Sequence, residues 1–218
     1  MTSSMNCQTA TLFCLVRHGE TAWNREKRVQ GQIDIDLNPR GQAQARALRA
    51  GLAGQAFDAV YSSDLRRAWS TALIAMDGTG LSVTADPALR ERHFGMLQGL
   101  TAEEAAHRLP EVHRRHKARV ADFDLGDGES LARFGARVVA ALELLAVRHR
   151  GQKVLVFTHG GVLDVAYRAA TGRPIEAPRD FPLSNAALNW IEHHDGAWRL
   201  LTWADCDHLS QTLDEVTG

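Results

Sequence analysis

Cysteine is scarce in this chain. Three are present in 218 residues, at Cys7, Cys14 and Cys206. They are scattered, odd in number and without CxxC spacing, which excludes a disulfide framework and a thiolate zinc site and points to a reducing cytoplasm. No apolar run approaches the roughly 18 residues that a membrane span needs. The opening residues, MTSSMNCQTAT, lack both the basic and the apolar segment of a secretory signal and read as a frayed leader. Charge of one sign is also missing. The formal net charge is -1, without the basic excess of a general nucleic-acid binder. There are no internal repeats, low-complexity tracts or interdomain linkers, so residues 1–218 read as one domain. The P-loop of nucleotide hydrolases, the GxSxG elbow and the HExxH zinc helix are all absent, and no GxGxxG follows the first strand. Ten histidines invite a metal. Yet His113 and His116 sit among cations without carboxylate partners, a poor cation site. The expectation is no metal and no cofactor.

What is present begins at Leu12. Leu12, Phe13, Cys14, Leu15 and Val16 form an unbroken apolar run, the signature of a strand covered on both faces. It stops at Arg17-His18-Gly19-Glu20-Thr21. Residues 154–161 repeat the design: Val154 to Phe157, then Thr158-His159-Gly160-Gly161. Ligands of open α/β sheets bind at the carboxyl ends of the strands. If the two strands are parallel neighbours, His18 and His159 meet at that edge.

Between these runs the pattern alternates. Asn38-Pro39 starts a helix that Gly54 ends. Phe57 to Tyr61 is a strand, and Ser62-Ser63-Asp64 offers caps for a helix bearing Leu65, Ala68, Ala72 and Met76. Leu81 to Ala85 is a third strand. Residues 89–99 form a charged loop. Thr101 and Glu104 fit a capping box, and Pro110 divides the helical stretch 101–121. Ser130 caps a long amphipathic helix with Leu131, Phe134, Val138, Leu142 and Leu145 on one face. A helix at 161–171 ends at Gly172. Two last strands, Ala187 to His193 and Trp198 to Trp203, flank Asp195-Gly196, a strong hairpin signal. This order implies a three-layer α/β/α sandwich with a mostly parallel sheet of about six strands, one of them antiparallel. Residues 86–129, without a strand, form a helical cap over the sheet's carboxyl edge.

Two histidines and two arginines, Arg17 and Arg67, thus gather at three strand ends. Arginines beside an imidazole disfavour its protonation and keep it nucleophilic, and the same arginines hold a phosphate dianion. Phosphoryl transfer needs mainly positioning and charge stabilisation, so the cluster suits transfer to a histidine nitrogen.

The chain resembles the histidine phosphatase superfamily in its phosphoglycerate-mutase-like branch. The matching blocks are Arg17-His18-Gly19-Glu20-Thr21 with Trp23-Asn24, then Ser63 to Ala68 with Thr71-Ala72. Glu91-Arg92-His93-Phe94-Gly95 with Leu97-Gln98-Gly99 and Thr158-His159-Gly160-Gly161 follow, in the family's order. The resemblance implies that His18 becomes the phosphohistidine, that Arg17, Arg67 and His159 bind the phosphoryl oxygens, and that Glu91 gives the leaving oxygen its proton. It puts Asn24, Gln30, Gly31 and Gly160 at the substrate. A carboxyl beside a phosphate dianion is suited to hold a proton, although Glu91 next to Arg90 and Arg92 also reads as an ion-pair partner. His93 and Thr21 read as supports and Trp23 as packing.

The expected activity is a metal-independent phosphomonoesterase acting on a small phosphorylated metabolite. The long insert by which mutases of the family grip a phosphoglycerate is not matched here. A phosphoglycerate mutase is the alternative, and a non-catalytic phospho-ligand binding module the second. The substrate and the oligomeric state, a homodimer included, stay open, as does the purpose of the basic stretch from His113 to Arg119.

Overall fold

The computed structural model describes residues 10–210, so Cys7 and the leader up to residue 9 lie outside it, while Thr11, read as the leader's last residue, is a buried first residue of β1. The elements run β1 (Thr11–Arg17), α1 (Ala22–Arg25), α2 (Pro39–Gly51), β2 (Ala59–Ser62), α3 (Arg66–Met76) and β3 (Val83–Ala85). Then come α4 (Ala102–Arg108), α5 (Pro110–Lys117), α6 (Leu131–Arg148), β4 (Lys153–Thr158), α7 (Gly160–Thr171), β5 (Leu188–His194) and β6 (Ala197–Asp205). Short 3-10 turns follow Asp86, Phe94 and Cys206.

The strands form one sheet in the order β3-β2-β4-β1-β5-β6. β1, β4, β2 and β3 are parallel, and β5 runs antiparallel to both of its neighbours. The expected single antiparallel strand is therefore β5. β1 and β4 sit in the middle, which is why both are apolar throughout. Alternate side chains leave opposite faces. Phe13, Leu15, Val154 and Val156 pack on α6 and α7; Cys14, Val16, Leu155 and Phe157 pack on α2 and α3. Each such side chain contributes about 1.5–3 kcal/mol by leaving water. Burial also pushes the Cys14 thiol well above its ordinary range, so it behaves as a small core residue.

Several local expectations hold. Asn38 caps α2 through Gly41, and Thr101 and Glu104 form their capping box on α4. Pro110 separates α4 from α5, Ser130 caps α6, and Gly172 ends α7 at φ 67°. Asp195 and Gly196 both have positive φ, as a type I′ hairpin turn requires. Two details differ. α2 ends at Gly51, with Gly54 in the following turn. The cap expected of α3 from Ser62-Ser63-Asp64 is not made at its N-cap residue, Leu65. Instead Asp34, far away in sequence, accepts the Arg66 N–H at 2.7 Å, while Asp64 binds Arg90 and Ser63 turns toward His159. Ser63 and Asp64 have longer-range partners, and a carboxylate from another loop does the capping.

The 86–129 segment is strand-free, as expected, and has its own small core of Leu97, Ala105 and Leu125, packed with Phe94, Leu109, Val112 and Phe123. With the 172–187 connection it walls a cleft of about 870 Å³ whose floor includes Arg17, Glu91, Gly160 and Gly161. A cavity of only about 40 Å³ lies beside Thr11, at the opposite end of β1.

Candidate active site

Register brings the two histidines together. β1 pairs with β4 so that Arg17 faces Thr158, and the His18 N–H donates to the Thr158 carbonyl at 2.9 Å. The next residue on each strand is therefore a histidine at the same level. Their rings lie 5.3 Å apart between centroids. Both are buried, His18 at 3% exposure and His159 at 0%.

The His18 Nδ1 is 2.7 Å from the Gly19 carbonyl oxygen. A carbonyl can only accept, so Nδ1 carries the hydrogen and Nε2 keeps its lone pair in the neutral ring. Burial, then Arg67, then Arg17 hold the His18 imidazole well below its usual range; the Gly19 carbonyl opposes them. His159 is lowered the same way, by burial first, then Arg67, His18 and Arg17. At neutral pH both rings are uncharged. Gly19 is sterically demanded, since a Cβ there would meet the Gly41 carbonyl oxygen at 2.4 Å.

Arg67, at 1% exposure, donates to the Ile33 carbonyl at 3.0 Å and the Gly31 carbonyl at 2.6 Å. Burial lowers it to about 10, so it remains charged at neutral pH. Its neighbour Arg66 is solvated and pairs with Asp34 and Asp36. Arg17 donates to the Leu183 carbonyl. The Nε of Arg17, the Nε of Arg67 and the Nδ1 of His159 are buried without a hydrogen-bond partner in the protein. Buried polar atoms are almost always paired. Three unpaired ones around a buried imidazole describe a place for an anion with several acceptor oxygens.

Glu91 approaches from the other side. Its Oε1 accepts the Arg92 N–H at 2.8 Å and its Oε2 accepts the Gly161 N–H, in the first turn of α7, at 2.9 Å. Arg90 is engaged by Asp64, and among the described residues Glu91 makes no ion pair with Arg90 or Arg92. Its carboxylate is thus presented at the cleft floor by two backbone donors.

Other expected residues have different immediate jobs. The Asn24 Oδ1 accepts from Thr21 in the capping box of α1. Gly31, at φ +56°, supplies the carbonyl that holds Arg67, and Gln30 is buried with an unpaired Oε1. Gly160 lies against Arg17, 3.5 Å from its Nε to a Cβ built there. The basic stretch is divided: Arg114 pairs with Glu111, Arg119 with Asp164, and Arg115 lies over Phe123. His116 and Lys117 reach the cleft.

Sequence reasoning missed Arg137 and the catalytic-side role of Ser63. Ser63 is 2.8 Å from the His159 Nε2 and fixes that ring. Arg137, on α6, makes a two-pronged ion pair with Glu129 and donates to the carbonyls of Ala88 and Arg90, with a longer contact to that of Glu91. It pins the segment that carries Glu91. An arginine in a long amphipathic helix carries no signal that separates this task from solvation.

Among the described residues, no group of three or more His, Cys, Asp or Glu side chains is arranged to hold a metal ion, and no helix is long and apolar enough to cross a membrane. The site is a cationic, imidazole-lined pocket with the Glu91 carboxylate beside it.

Known proteins share this framework. A metal-independent phosphoserine phosphatase of Arabidopsis thaliana is 42% identical over 203 residues, which is 92% of this chain and 84% of that protein. Phosphoglycerate mutase-like protein 4 of the same plant is 40% identical over 202 residues, 91% of this chain and 86% of its own. The solved structure of Bacillus stearothermophilus YhfR superposes with a TM-score of 0.85 at 30% identity, covering 92% of this chain and all of that one. The model of the histidine phosphatase superfamily (branch 1) matches residues 13–206, from the first buried strand past the last. The chain belongs to that superfamily.

Proposed function

We propose that this protein is a metal-independent phosphomonoesterase that works through a phosphohistidine at His18. The observation that carries the reading is the set of unpaired buried nitrogens, on Arg17, Arg67 and His159, around a neutral His18 whose Nε2 is free to attack. The Nε2 lone pair forms a bond to phosphorus as the ester oxygen departs. Glu91 gives that oxygen its proton, so an alcohol leaves. Arg17 and Arg67 neutralise charge on the phosphoryl oxygens in the water-poor pocket. Water then attacks the phosphohistidine, Glu91 takes its proton, and orthophosphate and neutral His18 are released.

The cap at 86–129 and the rest of the chain act as one catalytic unit in this reading, with the leaving group held in the cleft between cap and core. The partner is a small phosphorylated metabolite. Phosphoserine is the first ester to test, because a relative at 42% identity bears that activity in its name. A cytoplasmic location, the lack of a nucleic-acid partner and a homodimer as the state to test belong to the same proposal.

The test is release of inorganic phosphate from a panel of esters with EDTA present, together with mass-spectrometric trapping of phosphate on the peptide that bears His18. Turnover in EDTA that His18→Ala abolishes is the expected result. Primer-dependent interconversion of phosphoglycerates with negligible phosphate release would make the chain a mutase. Ligand binding undiminished by His18→Ala, without turnover in the unaltered chain, would make it a binding module.

A further inference from the structure

We propose that Asp164 is a positioning residue that sets the shape of the leaving-group side of the cleft; the proposal rests on the phosphatase reading above. Asp164 lies on α7, five residues beyond His159, and is 5% exposed. Its two oxygens bind two different arginines. Oδ2 accepts from Arg119 at 2.7 Å and Oδ1 from Arg168 at 3.2 Å. Each arginine then reaches the same stretch of the 172–187 connection. Arg119 donates to the Ile175 carbonyl at 2.8 Å, and Arg168 to the Pro174 carbonyl at 2.5 Å.

One buried carboxylate thus joins three pieces of chain. Arg119 closes the helical part of the cap, two residues after α5. It sits at φ +53°, a left-handed conformation uncommon outside glycine, and such strain persists only where surrounding contacts fix it. The 172–187 connection has no regular structure of its own, yet supplies the cleft wall opposite the cap through Arg179, Phe181 and Leu183. Phe181 is fixed from below by stacking on Tyr167. Leu183, whose carbonyl receives Arg17, stands eight residues beyond the tied Ile175, so the hold on Arg17 is separate from the junction. Asp164 therefore decides how far the cap and this wall stand apart. Arg119 and Asp164 border the leaving-group cleft themselves, and the phosphoryl group contacts neither in the mechanism above.

The consequence is selective. Losing the junction alters recognition of the alcohol and leaves phosphoryl chemistry in place. Arg119→Met and Asp164→Asn are compared with the unaltered chain on a series of phosphomonoesters, from glycerol phosphate to sugar and aryl phosphates. KM for the bulkier esters is expected to rise about tenfold, the scale on which modest pocket changes discriminate substrates. Turnover and inhibition by inorganic phosphate stay as they were, and the double variant is no worse than either single one. KM unchanged across the series, or turnover and phosphate inhibition weakened alike for every ester, would overturn the proposal, as would strictly additive KM effects. Should Asp164→Asn fail to fold, Arg119→Met at the more accessible end carries the test. An unaltered chain that hydrolyses no ester overturns both this and the reading it rests on. An active one with unaltered selectivity in the variants overturns this alone.

Discussion

A single methyl group separates two adjacent glycines of α7. A Cβ on Gly161 would stand 2.0 Å from the Glu91 Oε1 and 3.0 Å from its Cδ. A Cβ on Gly160 would stand 3.5 Å from Arg17, an ordinary contact. Neither glycine has a positive φ, so alanine fits the backbone at both, and each change favours the helix by about 0.5–1 kcal/mol. At Gly161 the carboxylate must retreat about 1.4 Å, from 2.0 Å to the 3.4 Å at which ordinary contact begins. The nearest obstacle is the tip of a flexible side chain, with the Phe134 ring edge next at 3.1 Å, so the chain still folds and the proposed proton donor is displaced. Misplacement by about 1 Å costs up to roughly 100-fold, and a general acid is worth about 10²–10⁴-fold. Gly161→Ala should therefore lower kcat about 100-fold on alkyl phosphates, while the variant stays folded. Gly160→Ala, whose Cβ would stand 3.5 Å from the Arg17 Nε, touches the anion pocket and not Glu91, so any loss it causes should be the same on both esters assayed. The assay is phosphate release from an alkyl phosphate and from p-nitrophenyl phosphate. A nitrophenolate leaves with little help from an acid, so the loss should be much smaller there. Equal losses on both esters from Gly161→Ala would refute the placement of Glu91 as proton donor.

Two further outcomes follow from the site. Burial, with Arg92, His113 and Arg119 nearby, lowers the half-buried His116 to about 4 from 6.5. The unfolded chain then binds the extra proton first as pH falls. Stability is thus fully present above about pH 6.5 and is lost between about 6.5 and 4, by at most about 3 kcal/mol from this residue. His18 and His159 act in the same direction. Thermal midpoints recorded from pH 7 to 4.5 should fall, and His116→Phe should flatten the profile; a parallel profile would contradict the burial argument. Arg137→Met should lower turnover about 10-fold or more with little change in phosphate inhibition, since it loosens the segment bearing Glu91 and leaves Arg17 and Arg67 alone. Weakened phosphate inhibition with intact turnover would show that Arg137 acts on the anion pocket instead.

Much of the architecture was legible because it is local. Apolar runs of strand length named β1 and β4 as central strands, and capping pairs such as Thr101 with Glu104 marked helix starts with side chains three residues apart. The ends of those strands pointed to His18 and His159, since side-chain type and position along a strand are both written in one dimension. Glu91 came from the resemblance; its loop has no periodicity to place it. What sequence could not supply was register and long-range pairing. Only the alignment of Arg17 with Thr158 makes the two histidines neighbours, and a slip of one residue would turn one of them to the other face. Only the folded chain shows that Ser63, besides accepting the Leu65 N–H, serves a histidine, that Asp34 takes the Arg66 N–H, and that Arg137 and Asp164 tie distant segments together. A long charged side chain reads the same whether it meets water or a carbonyl brought in by another part of the chain. Sequence therefore determined which groups are available for phosphoryl chemistry, and the tertiary structure decided which of them face one another, because those contacts exist only after the chain has closed its loops.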